Sequence, residues 1–454
     1  MADVTVVGGG LAGCEAALQL AERGRQVRLV EMRPVRRTPA HQTEQLGELV
    51  CTNSFKSEDP ANAHGALKQE MVAMGSLLLR AAQEARVPAG AALAVDRDLF
   101  AVAMTREVEG HPRVQVLREE ITELPSGPTI IATGPLTSDT LSQAIRDALG
   151  QEGLAFFDAI APIVHRDSLD DSVVFAQGRW DQDADYLNCP MDRDEYYAFV
   201  QGIVDAEIHE GGHSWDAVPY FEGCLPIEVM ASRGPDTLRF GPMKPIGITD
   251  PRTGRRPFAV VQLRREDRAG QMWNLVGFQT RMRIGEQKRV IAMIPGLAHA
   301  EFLRFGSIHR NSYLNFPGTL TSHGSLQERP DLIFAGQLTG VEGYTESAAS
   351  GILAAVNLDR ILQGEEPVVP PPTTMLGGLY RYLRECNPKH FQPMNSNWGL
   401  VDPLNERIRD KGERRARMGR RAHDDFLRWM EEVGIVSEAD AAGKGGGETE
   451  VAAV

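Results

Sequence analysis

Three glycines near the start of the chain have the spacing of a turn that binds a diphosphate. Gly8, Gly10 and Gly13 follow the apolar run 3–7 and precede a helical segment rich in alanine and leucine. The first glycine allows the sharp turn, the second lets the backbone approach a pyrophosphate, and the third lets helix and strand pack closely. A second apolar run ends on Glu31, which is placed to accept hydrogen bonds from a ribose. The pattern predicts a dinucleotide site.

Two cysteines have surroundings that suit reaction chemistry beside such a site. Cys51 lies in a long polar loop after the strand that ends at Glu31, and Cys224 lies in the sequence PYFEGCLPIEVMASRG. Dithiol–disulfide exchange usually uses a close pair such as CxxC, which the sequence lacks. Thiolate addition to an electrophilic ring such as uracil needs a nucleophile at C6 and a base for the C5 proton. Two cysteines would serve, as would a cysteine with a carboxylate such as Glu222.

A second glycine-rich turn occurs near the end of the nucleotide-binding pattern. The sequence FAGQLTGVEGYTESAASG occupies residues 334–351, and PTIIATG at 128–134 resembles a third part of the same fold. Two glycine turns separated by an inserted domain resemble the plan of glutathione-reductase-type FAD proteins. A simple NAD dehydrogenase would need no late glycine segment. The arrangement favours FAD as the bound dinucleotide.

The elements that position these residues alternate as in a parallel α/β sheet. The sequence predicts strands at 3–7, 27–30, 114–117, 128–132 and within 331–336, and helices over about 65–85, 98–107, 138–149 and from Gly343 onward. Residues 33–64 are predicted to form an irregular polar loop, and 258–263 and 274–278 are predicted strands of a middle domain. The expected fold class is α/β, with a glutathione-reductase-type Rossmann FAD-binding domain, an inserted mixed α/β domain and a C-terminal helical segment.

The domain boundaries follow from changes in composition along the chain. The FAD-binding domain is expected in two parts, at residues 1–151 and 306–370, with an inserted α/β domain at 152–305 between them. A C-terminal helical segment is expected at 371–436 and a disordered tail at 437–454. The tail is rich in glycine, alanine and glutamate and has no periodicity.

Composition narrows the class of protein. The chain has 454 residues, 42% of them hydrophobic and 24% charged, as in a globular protein. No apolar run approaches the roughly 18 residues of a membrane span, and no secretory signal is evident, so a cytoplasmic location is expected. The five cysteines are scattered and odd in number, which argues against a disulfide framework or a metal site.

The charge pattern allows an RNA partner. A net charge of −14 argues against a generally basic surface, but positive stretches occur locally at 252–268, 281–289 and 407–421. In an acidic protein, such patches favour a polyanionic substrate such as RNA. A solvated helix face with i,i+4 ion pairs to Asp410 and Glu413 explains the last stretch equally well. The candidate RNA contacts are Arg283, Arg414, Arg415 and Arg417.

Taken in order, these motifs resemble those of the TrmFO family of folate- and FAD-dependent tRNA (uracil-5-)-methyltransferases. The matching sequences are VTVVGGGLAGCEAA, LVCTNSFKS, EGCLPIEVMASRG, GPMKPIG and FAGQLTGVEGYTESAASG. The resemblance implies methylation of uridine 54 in the tRNA T-loop with carbon from 5,10-methylenetetrahydrofolate. It also implies an FAD cofactor that is reduced by NADPH or NADH. No membrane and no obligatory protein partner are expected.

The resemblance also implies roles for individual residues. Cys51 and Cys224 are the catalytic pair, with Cys224 as the nucleophile at uracil C6 and Cys51 assisting proton removal, or the reverse. The adenosine diphosphate part of FAD is expected at Gly8, Gly9, Gly10, Leu11, Ala12, Gly13 and Glu31. The flavin is expected near Gly336, Gln337, Gly343, Tyr344 and Glu346.

Two other functions fit parts of the pattern. The related GidA-type flavoproteins share the first and last motifs, modify the wobble uridine with a GTPase partner, and are typically longer. A flavin- and RNA-binding protein without turnover would also use the glycine turns and the basic patches. A product assay separates these two functions from the TrmFO-type methyltransferase, because only that methyltransferase yields 5-methyluridine with the purified protein alone.

Overall fold

The computed structural model describes residues 4–38, 40–150, 154–181, 183–209 and 225–435. Its strands are β1 Val4–Val7, β2 Val27–Glu31, β3 Ser54–Ser57, β4 Arg86–Val87, β5 Ala92–Val95, β6 Val114–Arg118, β7 Thr129–Ile131, β8 Leu154–Ile160, β9 Ile163–His165, β10 Phe175–Ala176, β11 Tyr186–Met191, β12 Ala259–Arg265, β13 Met272–Leu275, β14 Phe302–Arg304, β15 Ser307–Tyr313 and β16 Leu332–Phe334. Its α-helices are α1 Leu11–Glu22, α2 Ala63–Ala73, α3 Leu77–Glu84, α4 Arg97–Gly110, α5 Asp139–Leu149, α6 Arg193–Val204, α7 Ile227–Ser232, α8 Thr237–Phe240, α9 Ile284–Ile291, α10 Tyr344–Gln363, α11 Met375–Glu385 and α12 Lys411–Glu432.

A parallel sheet of order β16-β7-β1-β2-β6 carries the nucleotide-binding pattern. β1 pairs with β2 from Val4 opposite Val27 to Val7 opposite Val30, and with β7 on its other side. These strands are short β-branched runs that are buried, as expected for strands covered on both faces. The fold is thus a mixed α/β fold built on a parallel sheet.

A second sheet of order β10-β11-β12-β13-β9-β14 is antiparallel and has a hydrophobic core of its own. That core runs from Val164 to Leu297 and includes the aromatic residues Tyr196, Phe199 and Phe278. β8 and β15 pair with each other along their whole length, at the two places where the chain passes between the sheets. The two halves of the molecule therefore have separate cores.

Several predicted elements are confirmed within one or two residues. Ser138 caps α5 through a hydrogen bond to the N–H of Leu141, and Gly150 ends that helix with φ of +62°. The predicted helix from Gly343 is α10. The predicted strands at 27–30 and 114–117 are β2 and β6. Capping residues and β-branched runs are local signals, which explains the agreement.

Two predictions were wrong in detail. The single helix over 65–85 is two helices, because Gly75 adopts φ of +71° and Ser76 starts a new helix by accepting from the N–H of Leu79. The irregular loop 33–64 contains β3, which pairs with β5 across a register shift. Lys56 within β3 has φ of +63°, a conformation that a residue with a side chain seldom adopts. Short strands of this kind carry little periodicity.

Buried carboxylates join distant helices of the first half. Glu15 of α1 accepts hydrogen bonds from the N–H groups of Leu77 and Leu78 at the start of α3. Glu70 of α2 accepts from Met375 and Leu376 at the start of α11. Each acid satisfies N–H groups that a helix leaves without intrahelical partners. Among the described helices, none is long and apolar enough to cross a bilayer.

Candidate cofactor site and cysteine loop

The first glycine turn joins β1 to α1 and is fixed by close backbone contacts. Gly8 has φ of +107°, and a Cβ there would lie 2.5 Å from the carbonyl oxygen of Ala132. A Cβ on Gly13 would lie 1.8 Å from the carbonyl oxygen of Gly8. A Cβ on Gly10 would meet no atom of the described residues within 4 Å. Packing therefore requires glycine at 8 and 13, whereas the space beside Gly10 is open to a ligand.

Glu31 ends β2 beside this turn, and the protein itself holds its carboxylate. Oε2 accepts from the N–H of Gly9 at 2.8 Å, and Oε1 accepts from the N–H and Nε of Arg33 at 3.0 and 2.8 Å. Burial alone would raise the pKa of Glu31, but the hydrogen bonds and charge of Arg33 outweigh burial and lower it. Glu31 is therefore ionised at neutral pH. Since a carboxylate has about four lone-pair sites and three are used, it can accept from one more donor.

A cleft opens beside Glu31 and the first turn. Its walls come from the turn, from the chain after β6 and from the segment that leads into α5, and they include Gly8, Gly10, Glu31, Ile121, Thr137 and Leu141. Within the described residues no side chain caps the start of α1, so its first N–H groups remain available to an anion.

The structure brings the second glycine turn alongside the first. β16, β7 and β1 are neighbours in the parallel sheet, so the turns that follow them share one edge. A Cβ on Gly351 of α10 would lie 2.2 Å from the carbonyl oxygen of Ala12, and one on Gly336 would lie 3.0 Å from the Ala12 Cβ. Leu11 is buried in the same core. Segments more than 300 residues apart in sequence thus form one site.

Residues at the start of α10 are held by neighbouring loops. Gly343 precedes the helix with φ of +117°, and Gln337 donates to Glu342 at 2.6 Å. Glu346 is buried and accepts from the N–H of Ser396 at 2.9 Å. Burial opposes its ionisation, but the contact with His64 and the charge of Lys56 prevail and hold the pKa of Glu346 well below its usual range. These contacts join the start of α10 to the segments that contain His64 and Ser396.

Cys51 belongs to a loop that we call the cysteine loop, residues 49–53, and Tyr344 anchors it. The Tyr344 hydroxyl accepts from the N–H of Cys51 at 2.8 Å and from the N–H of Thr52 at 3.1 Å. Burial raises the pKa of Tyr344, with the nearby Cys51 as a second cause. The predicted catalytic residue and the predicted flavin-side residue are therefore in direct contact.

Two arginines bind the backbone carbonyl groups of the cysteine loop. Arg97 donates to the carbonyl oxygens of Leu49 and Cys51, both at 2.8 Å. Arg304 donates to that of Val50 at 3.0 Å. The two guanidinium groups therefore bind consecutive carbonyl groups, and burial together with the charge of Arg97 lowers the pKa of Arg304.

A third arginine, Arg264 of β12, binds side chains of the cysteine loop. Arg264 donates to Thr52 Oγ1 at 2.7 Å and to Asn53 Oδ1 at 3.0 Å. Glu266 pairs with Arg97 at 2.6 Å and lies 3.7 Å from Arg264. Three guanidinium groups therefore face one carboxylate around the loop, which leaves an excess of positive charge beside Cys51.

Sequence reasoning missed these three arginines. Arg264 belongs to the basic stretch 252–268, for which the sequence predicts RNA contact, yet it is buried against the cysteine loop. An arginine inside the apolar run of β12 is a signal that could have identified it, because buried charges are paired. Arg97 and Arg304 carry no comparable signal.

The other predicted site residues lie elsewhere. Cys224 and Glu222 are outside the described residues. Arg414 and Arg415 are exposed on α12, whereas Arg417 pairs with Glu406 and, at i,i+4 spacing, with Glu413 at 3.0 Å. Arg283 pairs with Glu207 at 3.1 Å. Cys14, on α1 behind the first glycine turn, is buried in the core, and burial raises the pKa of its thiol.

Comparison with known proteins identifies relatives along nearly the whole chain. Residues 3–366 match the family described as glucose inhibited division protein A. The chain is 53% identical over 420 residues to methylenetetrahydrofolate–tRNA-(uracil-5-)-methyltransferase TrmFO of Bacillus cereus (strain AH820), covering 92% of this chain and 96% of the relative. The same values apply to the protein of that name from Bacillus thuringiensis subsp. konkukian (strain 97-27).

A solved structure agrees with the fold. GidA of Aquifex aeolicus, in its form II crystal, superposes with a TM-score of 0.68 at 15% identity, covering 97% of this chain and 75% of that one. At this identity the likeness concerns the fold alone. Together with the sequence relatives, it leads to one conclusion: the chain belongs to the TrmFO family, within the larger family of glucose-inhibited division protein A.

Proposed function

We propose that this protein methylates C5 of uridine 54 in the T-loop of tRNA. The carbon comes from 5,10-methylenetetrahydrofolate, and the reducing equivalents come from FAD that NADPH or NADH has reduced. The observation that carries the proposal is the contact between the Cys51 backbone and the Tyr344 hydroxyl, which joins a catalytic thiol to the second glycine turn. Relatives 53% identical to the chain are named methylenetetrahydrofolate–tRNA-(uracil-5-)-methyltransferases, which supports the substrate and the carbon donor.

The residues of the two turns fit FAD. The open space beside Gly10 and the uncapped start of α1 suit a pyrophosphate, and Glu31 suits a ribose hydroxyl. Gly336, Gln337, Gly343, Tyr344 and Glu346 would adjoin the flavin. We infer a glutathione-reductase-type FAD domain with an inserted domain between its parts. When bound, FAD supplies the reducing equivalent that turns a methylene carbon into a methyl group.

The two cysteines divide the chemistry on uracil. The thiolate of Cys224 forms a bond to C6, and the resulting enolate forms a bond from C5 to the methylene carbon of the donor. Cys51 assists removal of the C5 proton while the bond between that carbon and its carrier breaks, which leaves an exocyclic methylene group on C5. A hydride supplied by the reduced cofactor would convert that group to methyl, and the bond between the Cys224 sulfur and C6 breaks to release the thiolate. The reverse assignment of the two thiols gives the same product. The positive charge of Arg97 and Arg304 beside Cys51 suits a group that works as a thiolate.

The test is a product assay with the purified, FAD-loaded protein. With methylenetetrahydrofolate, NADPH and a tRNA transcript, we expect 5-methyluridine at position 54 and nowhere else. The Cys51→Ala variant should keep its flavin spectrum and lose about 10²- to 10⁴-fold in rate, the usual contribution of a proton-transfer group. The Cys189→Ala variant is the matched control, because Cys189 is buried in the other core.

Two results would contradict the proposal. One is flavin-loaded protein that yields no 5-methyluridine. The other is modification of the wobble uridine that requires a second protein. A transcript with 5-fluorouridine at position 54 would also trap the nucleophile, because fluorine cannot leave C5 as a proton does. Mapping that adduct to Cys224 or Cys51 assigns the two thiols.

A further inference from the structure

One face of the second half combines exposed aromatic rings with a local excess of positive charge. The indole of Trp180 is 69% exposed and the ring of Phe240 is 77% exposed. Residues 179–185 and 237–258 together hold six cations and four carboxylates, in a chain whose net charge is −14. The cations are Arg179, Arg239, Lys244, Arg252, Arg255 and Arg256, and the carboxylates are Asp181, Asp183, Asp185 and Asp250. We call this face the aromatic-basic face.

Trp180 contacts the segment around Gly247 although its ring is exposed. Its backbone N–H donates to the carbonyl oxygen of Gly247 at 3.2 Å, and its indole lies against that glycine. Arg179 donates to the carbonyl oxygen of Ile246 at 2.6 Å, which pins the same two segments together. Trp180 also has φ of +59°, a conformation that costs energy for a residue with a side chain. The structure thus maintains a strained backbone that keeps a large apolar ring in solvent.

The cations of this face are largely free of acidic partners. Asp250 is buried and pairs with Arg252 at 2.8 Å. Lys244, Arg255 and Arg256 are exposed, and within the described part of the chain no carboxylate lies within ion-pair distance of them. The Arg239 guanidinium stacks on Phe258, 3.9 Å from the ring centre, and flanks Phe240. Unpaired cations beside exposed rings suit phosphates next to unstacked bases.

The position of the face relates it to the cysteine loop. β12 begins directly after Phe258, and Arg264 near its other end binds Thr52 and Asn53. Five residues lie between Phe258 and Arg264, and these six steps along a strand correspond to roughly 20 Å. A nucleic acid that delivers a base to Cys51 would therefore reach this face with nucleotides outside the reactive site.

We propose that the aromatic-basic face binds tRNA outside the target nucleotide, with Trp180 and Phe240 stacking on bases and Lys244, Arg255 and Arg256 contacting phosphates. The inference rests on the proposed function for the identity of the RNA. Charge complementarity favours RNA over a second copy of the chain, because a two-fold dimer through this face would set like charges against each other.

The test separates the stacking contribution from the ionic one. Affinity for a tRNA transcript is measured at several salt concentrations with the FAD-loaded protein. Trp180→Ala should weaken binding at least about fivefold with an unchanged salt slope, because stacking releases no counterions. Arg255→Ala/Arg256→Ala should weaken binding and reduce the slope of log K against log salt by about 1.4 to 1.8. Arg106→Ala/Arg113→Ala, two exposed arginines of the first half, is the matched control and should change neither quantity.

Three outcomes would overturn the inference. They are unchanged affinity in both sets of variants, equal loss in the control, or loss of a dimer by light scattering in Trp180→Ala with unchanged tRNA binding. The flavin spectrum shows whether each variant is folded. If the wild-type protein methylates tRNA while the variants bind tRNA normally, the proposed binding face is refuted and the proposed function stands. If the wild-type protein binds tRNA through this face without forming 5-methyluridine, the proposed function is refuted and the binding face stands.

Discussion

The first glycine turn and the cysteine loop lie at the same site but are built in opposite ways. The turn is shaped by its own backbone, with Gly8 and Gly13 in contact and with Glu31, which accepts from Gly9, only 22 positions after that residue. The cysteine loop is held by side chains from four distant places, namely Arg97, Arg264, Arg304 and Tyr344. A turn formed by neighbouring residues can be recognised from their spacing alone. A loop that is held by distant side chains depends on the packing of both halves of the molecule.

The largest effect is expected from removing one support of the cysteine loop. Arg97→Gln removes the partner that Glu266 has at 2.6 Å and leaves this buried carboxylate only Arg264 at 3.7 Å, so the free energy of unfolding should fall by at most about 3–5 kcal/mol. Methylation should fall as well, because the carbonyl groups of Leu49 and Cys51 lose their donor. Guanidinium denaturation and single-turnover methylation measure the two effects.

A double variant distinguishes the two roles of Arg97. Arg97→Gln/Glu266→Gln removes the incompletely paired carboxylate and should recover part of the lost stability, while methylation stays low. Normal methylation in a stable double variant would show that the loop does not depend on this arginine.

The first turn should respond to substitution according to position. Gly13→Ala forces a Cβ to within 1.8 Å of the Gly8 carbonyl oxygen, so we expect a loss of about 1–3 kcal/mol in the apoprotein. Gly10→Ala meets no atom of the described residues, so the apoprotein should keep its stability while FAD dissociation increases at least about tenfold. Thermal unfolding and flavin fluorescence measure these quantities. Equal effects of both substitutions on the apoprotein would contradict the distinction.

A smaller effect is expected at the contact between Tyr344 and the cysteine loop. Tyr344→Phe removes the acceptor of two N–H groups, at a cost of about 1–2 kcal/mol in stability. The loop should become more mobile, so Cys51 should react faster with a thiol reagent in the apoprotein. Tyr382→Phe is the control, because that hydroxyl bonds the carbonyl of Gln392 instead. Unchanged Cys51 reactivity would mean that Tyr344 does not hold the loop.

The smallest effect concerns Glu31 and depends on pH. Its pKa in the folded protein is lowered, so its ionised form adds stability above the unfolded pKa of about 4.3, and this contribution is lost as pH falls through the folded pKa. Glu31→Gln should therefore cost on the order of 1 kcal/mol at pH 7, since glutamine keeps an acceptor for Gly9. The difference from wild type should shrink below about pH 4. Denaturation curves at pH 7 and pH 3 compare the two, and a difference that grows in acid would refute the assignment.

The sequence predicted the first glycine turn better than the cysteine loop, because the turn depends on neighbouring residues and the loop on distant ones. The strand before Gly8, the cap at Ser138 and the helix after Gly343 follow from nearest neighbours in sequence, and the structure confirms them. The helix break at Gly75 had a local signal that the helical periodicity outweighed. The role of Arg264 was predicted wrongly because it lies in a basic stretch of sequence, which suggested an exposed RNA contact, whereas its side chain is buried against the cysteine loop.

The sequence by itself determined the glycine turns, the order of the strands along the chain and the family, because each depends on residue types at short or fixed spacing. Only the tertiary structure decided that Gly351 packs on Ala12, that Tyr344 binds the backbone of Cys51, and that three arginines surround that loop. Those contacts join residues far apart in the chain, and they form only when two separate cores fix where each side chain lies.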